Sequence, residues 1–360
     1  MRFLCLCHVI TPALAPILEH IASLPANQLL IAQAHQKKDI DIPGARLVKL
    51  KRPQIKKAPR SLTDCWQIAT QIGKCAMQSL ETIAQSGFSP DVILLATFSG
   101  ASLCLGDIFP EGFQVAYLET LAAENETVMR YRRQMREIQI MESDLVYDLS
   151  GAQQAQPGVR RGPLCVNSSF FRPLGSSGAD QADKFAGIVF GFVGLSDIET
   201  GRWLETMQNF SRIRAEKIYA IMPNMAGAKK AESLGVPDLS CGCNLSNAGG
   251  ARLFGQAKLL VWPSGVIAPE LLQAMSCGVA IVSRGVEGLL KPGINCFPMP
   301  ENNLPDALRK LAREHELLER MGLAARKTVL DHFTREKIIP PHIAEIMAAM
   351  PEDKRDGQLL

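Results

Sequence analysis

Lys258-Leu-Leu-Val-Trp-Pro-Ser-Gly-Val-Ile-Ala-Pro-Glu-Leu-Leu-Gln-Ala-Met-Ser-Cys-Gly-Val-Ala-Ile-Val-Ser-Arg284 decides the fold. Leu259 to Trp262 is an apolar run of strand length. A turn follows, then a short helix opened by Pro269 and stopped at Cys277-Gly278, then a second apolar strand over Val279 to Val282. Proline suits a first helical position, where its missing N–H would be unpaired anyway, and glycine suits the exit. Strand, loop, helix and strand in this order make a βαβ unit. Its loop lies at the carboxyl edge of a parallel sheet, where α/β proteins bind ligands. The amides of Gly265, Val266 and Ile267 are expected to point at that edge, and the helix dipole to favour an anion there.

The same alternation runs through the chain. Strand patterns at Arg2–Val9, Gln28–Gln33, Arg46–Leu50, Val92–Ala96, Gln114–Leu118 and Asp144–Tyr147 are interleaved with helical patterns at Ala13–Ala22, Thr63–Ala84 and Glu124–Glu142. A second series starts at Gly187-Ile-Val-Phe-Gly-Phe-Val-Gly194 and continues through Lys217–Met222 to the quoted stretch. Pro173-Leu-Gly-Ser-Ser-Gly-Ala-Asp180 is the most linker-like segment. The alternation predicts parallel sheets with helices on both faces. At 360 residues the chain has the length of two such domains. We place them at 1–175 and 183–334, joined near residue 178. No apolar run approaches the ~20 residues of a membrane span. Met1–Ile10 reads as a first buried strand rather than a signal peptide. Ten cysteines, several inside apolar strands or helices, argue for a reducing cytoplasm. Cys241-Gly-Cys243 lacks a second Cys/His pair at ligand spacing and reads as a loop with two free thiols.

Leu271-Leu-Gln-Ala-Met-Ser-Cys-Gly278 resembles the Leu-Leu-Glu-Ala-Met-Ala-Cys-Gly signature of retaining nucleotide-sugar glycosyltransferases of the GT-B fold, in the large family numbered four. Ser283-Arg-Gly-Val-Glu-Gly288, Lys291-Pro-Gly-Ile-Asn295, Pro300-Glu-Asn-Asn-Leu-Pro-Asp-Ala-Leu308 and Met321-Gly-Leu-Ala-Ala-Arg-Lys-Thr-Val329 fit the same template. Asp107-Ile-Phe-Pro-Glu-Gly-Phe-Gln-Val-Ala-Tyr-Leu-Glu119 is similar to the N-terminal half of one bacterial branch. The resemblance implies an α/β protein of two Rossmann-like, doubly wound domains facing across a cleft. It also implies a last helix, 335–350, that packs back on the first domain.

It further implies a hexose-type sugar moved from a nucleotide-sugar donor to a glycan, lipid-linked or protein acceptor. The departing diphosphate then needs amides, a helix N-terminus and cations. No cofactor and no metal are implied. The loop Ser264, Gly265, Val266 and the turn at Gly194 are the donor-binding candidates. The family carries two glutamates eight residues apart, and Gly265 and Gln273 stand at those positions. Gln273 retains an amide oxygen for the donor ribose, a weaker acceptor than a carboxylate. Glu270, one turn earlier on the same face, either substitutes for it or complements the helix dipole. Leu195 stands where an arginine is expected, Arg284 is the best-placed cation, and Glu287 or Gly288 matches a donor-contacting glutamate.

On the acceptor side, Thr97-Phe-Ser-Gly100 replaces a histidine of the branch. His8, at the end of the first strand, and Glu119 complete the catalytic candidates with Thr97. The losses at Leu195, Gly265 and Gln273 motivate a second reading, a catalytically degenerate GT-B scaffold or partner subunit of an active transferase. A nucleotide-sugar epimerase of the same architecture is a third. Arg46 to Arg60 holds seven Lys and Arg and no acid, in a chain of net charge +3. That stretch is either a solvated loop or a peripheral contact with anionic lipid on the inner membrane face. Without interleaved aromatics it does not suggest nucleic acid.

Overall fold

In this computed structural model the described residues are 1–33, 42–55, 58–96, 100–118, 126–149, 157–173, 187–193, 195, 197–211, 218–222, 239–242, 247–300, 304–311 and 313–352. They form two α/β units. Unit 1 comprises Met1–Leu149, Gln154–Pro163 and Ile339–Leu360, and unit 2 comprises Ser150–Gln153 and Leu164–Ile338.

In unit 1 the strands are β1 (Arg2–Cys7), β2 (Gln28–Gln33), β3 (Arg46–Lys49), β4 (Val92–Ala96), β5 (Phe113–Leu118), β6 (Leu145–Asp148) and β7 (Arg160–Arg161). They pair in parallel in the order β3-β2-β1-β4-β5-β6-β7. Helices α1 (Ala15–Ser23), α2 (Leu62–Gln85), α3 (Leu105–Ile108) and α4 (Glu126–Glu142) connect them. Central strands such as β4 are buried at every position, as strands covered on both faces should be. Ser61 caps α2: its hydroxyl accepts from the Asp64 N–H and the Asp64 carboxylate accepts from the Ser61 N–H.

Unit 2 repeats the plan. Strands β8 (Ile188–Gly191), β9 (Ile218–Ile221), β10 (Leu239–Gly242), β11 (Leu259–Trp262), β12 (Ala280–Ser283) and β13 (Phe297–Pro298) form a parallel sheet in the order β10-β9-β8-β11-β12-β13. Its helices are α5 (Asp197–Ser211), α6 (Asn247–Gln256), α7 (Pro269–Ser276), α8 (Leu304–Leu311) and α9 (His315–His332). Alternate residues of β8 go to opposite faces: Val189 joins the core under α6 and α7, while Ile188 and Phe190 join that under α5 and α8. The chain order 3-2-1-4-5-6 in each sheet is the doubly wound Rossmann order, which opens a crevice at the carboxyl ends of the two strands where direction reverses. These strands are β1 and β4 in unit 1, and β8 and β11 in unit 2.

The chain enters the long segment of unit 2 at Pro163/Leu164 and leaves it at Ile338/Ile339. Val166 bridges to Thr334, and Phe171 is buried in the unit 2 core with its carbonyl accepting from Ser276 Oγ at 2.6 Å. The Gly-Ser stretch at 174–180 lies outside the described residues. Cys241 is on β10, not in a loop: parallel pairing with β9 satisfies its backbone where local propensity alone is weak. Cys243 lies outside the described residues. Helix α10 (Arg335–Ala349) starts in unit 2 and ends in unit 1, where Ile339, His342, Ile343 and Ile346 are buried.

Candidate functional site

The loop from Pro263 to Ala268 leaves β11 at the crevice of unit 2 and enters α7 through Pro269 at its first position. Gly191, at the end of β8, permits the local arrangement. A Cβ there would lie 2.3 Å from the Trp262 ring, so only glycine lets the fully buried indole lie across β8. That indole N–H donates to the Val266 carbonyl at 3.1 Å and holds the loop from below. Ser264, itself buried, accepts from the Val266 N–H through Oγ at 3.1 Å. The Val266 amide is therefore not available to a ligand, contrary to the sequence expectation, because a serine two residues earlier competes for it. Gly265 is exposed, Ile267 is half-buried against the core of unit 2, and α7 has no side-chain cap on Ala268.

Glu270 lies in the first turn of α7. Burial pushes its carboxyl above the ordinary value, and a bond to its own backbone N–H acts in the opposite sense. The carboxyl thus lies at the terminus that an anion would use. Gln273 is 5% exposed, and its Oε1 would be 3.0 Å from a Cβ placed on Gly250 of α6. It fits into the small space that this glycine leaves between α6 and α7.

At the end of β12, Ser283 is fully buried and its Oγ accepts from the Gly285 N–H at 3.1 Å. Gly285 and Gly288 take positive φ, which makes the turn tight. Arg284 and Glu287 are exposed on it. Among the described residues Arg284 has no ion pair, and it borders a cavity of about 520 Å³. Trp203 and Thr206 of α5 form one wall, and Pro298, Met299 and Pro300 another. The sequence reading missed Trp203; one of three tryptophans, half-buried two turns into the helix after Gly194, it was the available signal. Asn295 fixes the neighbouring turn, donating to the Leu289 carbonyl at 2.8 Å and accepting from the Lys291 N–H at 2.7 Å.

In unit 1, His8 is exposed at the carboxyl end of β1, at that sheet's own reversal point. Arg52 Nη2 donates to its Nδ1 at 3.3 Å. A guanidinium can only donate, so Nδ1 carries the imidazole lone pair and the ring proton sits on Nε2. Action as a base requires Arg52 to yield that nitrogen. Thr97, Glu119 and Gly194 lie outside the described residues. So does Asp39-Ile-Asp41, an Asp-x-Asp pair that the sequence reading passed over. Among the described residues no group of His, Cys, Asp and Glu is placed to hold a metal.

A model of a glycosyl transferase family 4 group matches residues 26–149. No curated protein matches the chain in sequence. Sucrose-phosphate synthase from Thermosynechococcus elongatus is similar in structure at a TM-score of 0.68 and 15% identity, over 97% of this chain and all of that one. HepE from Anabaena, solved in complex with UDP and glucose, reaches 0.65 at 13% identity over 97% of this chain and 100% of its own. The fold is GT-B. A UDP-N-acetylglucosamine 2-epimerase is also similar, at 0.52 and 10% identity over 90% of this chain and 91% of that chain. The GT-B fold therefore does not choose the reaction by itself, and the residues at the crevices have to.

Proposed function

We propose that the protein is a glycosyltransferase that moves a hexose-type sugar from a nucleoside diphosphate donor to a glycan, lipid-linked or protein acceptor, with retention. One observation carries this reading: the glycosyl transferase family 4 model covers 26–149 of a chain whose two units have the GT-B fold. The Leu271–Gly278 signature supports the retaining assignment. In this reading the diphosphate lies at the N-terminus of α7, beside Gly265 and Ile267. Arg284 at the end of β12 meets the charge that grows on the leaving group. With the Nδ1 of His8 engaged by Arg52, the leaving phosphate is the group that takes the acceptor proton. Eight described cysteines carry free thiols, which supports a reducing cytoplasm.

Calorimetry against UDP-, GDP-, ADP- and dTDP-sugars tests the reading directly. One donor should bind, and Gly265→Asp should abolish binding without lowering the melting temperature. Unchanged affinity in that variant moves the donor elsewhere. The second reading, a GT-B scaffold or partner subunit, is favoured by three particulars: the Val266 amide taken by Ser264, Glu270 on the helix terminus, and the buried Gln273. It replaces the first if no nucleotide sugar binds the wild type.

A further inference from the structure

The basic stretch Arg46 to Arg60 belongs to unit 1, and all of it but Lys56 and Lys57 lies within the described residues. Its first part is β3, the terminal strand of the seven-stranded sheet, paired with β2 on one side. Such an edge usually carries charge to discourage pairing with other chains. This one carries more than that purpose requires, and all of one sign. Outside the stretch the chain has 32 Lys and Arg against 36 Asp and Glu, so the remainder of the protein is net acidic and the positive charge is concentrated here.

The side chains are displayed rather than tucked away. Arg46, Lys49, Lys51, Arg52 and Arg60 are exposed. Two large apolar side chains stand exposed among them, Leu47 at 43% and Ile55 at 48%. The backbone of the stretch is held at its middle and at its far end. The Leu50 N–H donates to the Gln33 carbonyl at 2.9 Å, and the Lys51 N–H to Ser79 Oγ of α2 at 3.1 Å. The Arg60 N–H donates to the Asp64 carboxylate at 2.9 Å.

Exposed cations interspersed along the chain with exposed aliphatic side chains match the interface of an anionic bilayer. Lys and Arg meet lipid phosphates there while Leu and Ile enter the acyl boundary. We propose that this edge of unit 1, Arg46 to Ile55 together with Arg60, docks the protein on an anionic lipid surface. No helix among the described residues is long and apolar enough to cross a membrane, so this contact is peripheral and governed by charge.

The experiment is co-sedimentation of the full-length protein with vesicles of 30% phosphatidylglycerol in phosphatidylcholine, beside pure phosphatidylcholine. Wild type should sediment with the anionic vesicles at low salt, leave the neutral ones, and be released by 0.5 M salt as the Debye length shrinks. Each cation near such a surface contributes roughly a factor of five. The variant Arg46→Ser, Lys49→Ser, Lys51→Ser, Arg60→Ser should therefore lose at least about tenfold in partitioning, with its melting temperature kept. Ile55→Ser should lose about threefold at fixed salt. Equal binding by the quadruple variant, equal binding to neutral vesicles, or no binding at low salt overturns the proposal. So does a concentration-dependent dimer in sedimentation velocity that Leu47→Lys abolishes, since the edge would then serve a second copy of the chain. Donor binding measured by calorimetry is independent of these outcomes, so failure here leaves the glycosyltransferase reading untouched.

Discussion

At the scale of single residues, the donor candidate of unit 2 is crowded by its own side chains. Glu270 brings a carboxylate to the N-terminus of α7, where a diphosphate would compete with it. Glu270→Gln should raise the affinity for a nucleoside diphosphate by about 2- to 5-fold, the usual size of a helix-terminus charge effect. Calorimetry in low salt reads this, and a lower affinity would mean that the carboxylate itself binds the ligand. Gln273→Glu restores the residue of the family signature, yet the position is 5% exposed and abuts Gly250. A carboxyl buried there has a raised pKa, so the variant gains charge at a desolvation cost as pH rises. Its melting temperature should equal that of wild type near pH 4 and fall below it by pH 8. A pH-independent difference would show that the side chain reaches water. Neither result follows from the signature alone, because the size of the residue opposite, Gly250, is what decides it.

Among the secondary elements, those with clear punctuation were legible in advance. Pro269 and Gly278 delimit α7, and the apolar runs of β1, β2, β4, β11 and β12 appear within two residues of where their patterns placed them. The misses share a cause. Strand β10 is Leu-Ser-Cys-Gly, β13 is Phe-Pro, β7 is Arg-Arg, and α6 opens on Asn-Ala-Gly-Gly. In each, local preference is weak and a neighbouring element supplies the order. The loop after β11 was placed correctly, but its amide supply was not, since the Ser264 bond depends on a rotamer. Close approaches were equally invisible. Helix α9 crosses the exit of α7 so tightly that a Cβ on Gly322 would lie 2.0 Å from the Gly278 carbonyl oxygen. Gly322→Ala should therefore destabilise the protein by about 1–3 kcal/mol despite the better helix propensity of alanine. Chemical denaturation checks this, and a more stable variant would mean that α9 can slide.

For the whole molecule, the most consequential contact belongs to α10. His342 is 6% exposed, with Nε2 2.8 Å from the Tyr117 hydroxyl and its ring 4.4 Å from that of Tyr147, edge to face. Burial pushes its pKa down to about 4. The folded protein thus holds a neutral imidazole that the unfolded chain would protonate near pH 6.5. The associated stability is present above pH 6.5 and is lost as pH falls towards 4, by about 3 kcal/mol in total. Urea midpoints measured between pH 7 and pH 4 should show this slope. His342→Gln should flatten it, and an unchanged slope would assign the acid sensitivity to other groups. Around this histidine, Arg160 and Glu345 form an exposed ion pair that adds little of its own.

The route of α10 also sets a timetable. The residues that close unit 1 over Tyr117 and Tyr147 come after all of Leu164–Ile338 in the chain. A ribosome working at roughly 5–20 residues per second needs on the order of ten to thirty seconds to make that intervening piece. Throughout this interval the first unit to be synthesised waits with its tyrosines uncovered, while the second can complete its own sheet. The order of synthesis and the order of completion are therefore opposite. Nascent chains stalled before residue 339 should bind a hydrophobic-surface chaperone through the unit made first.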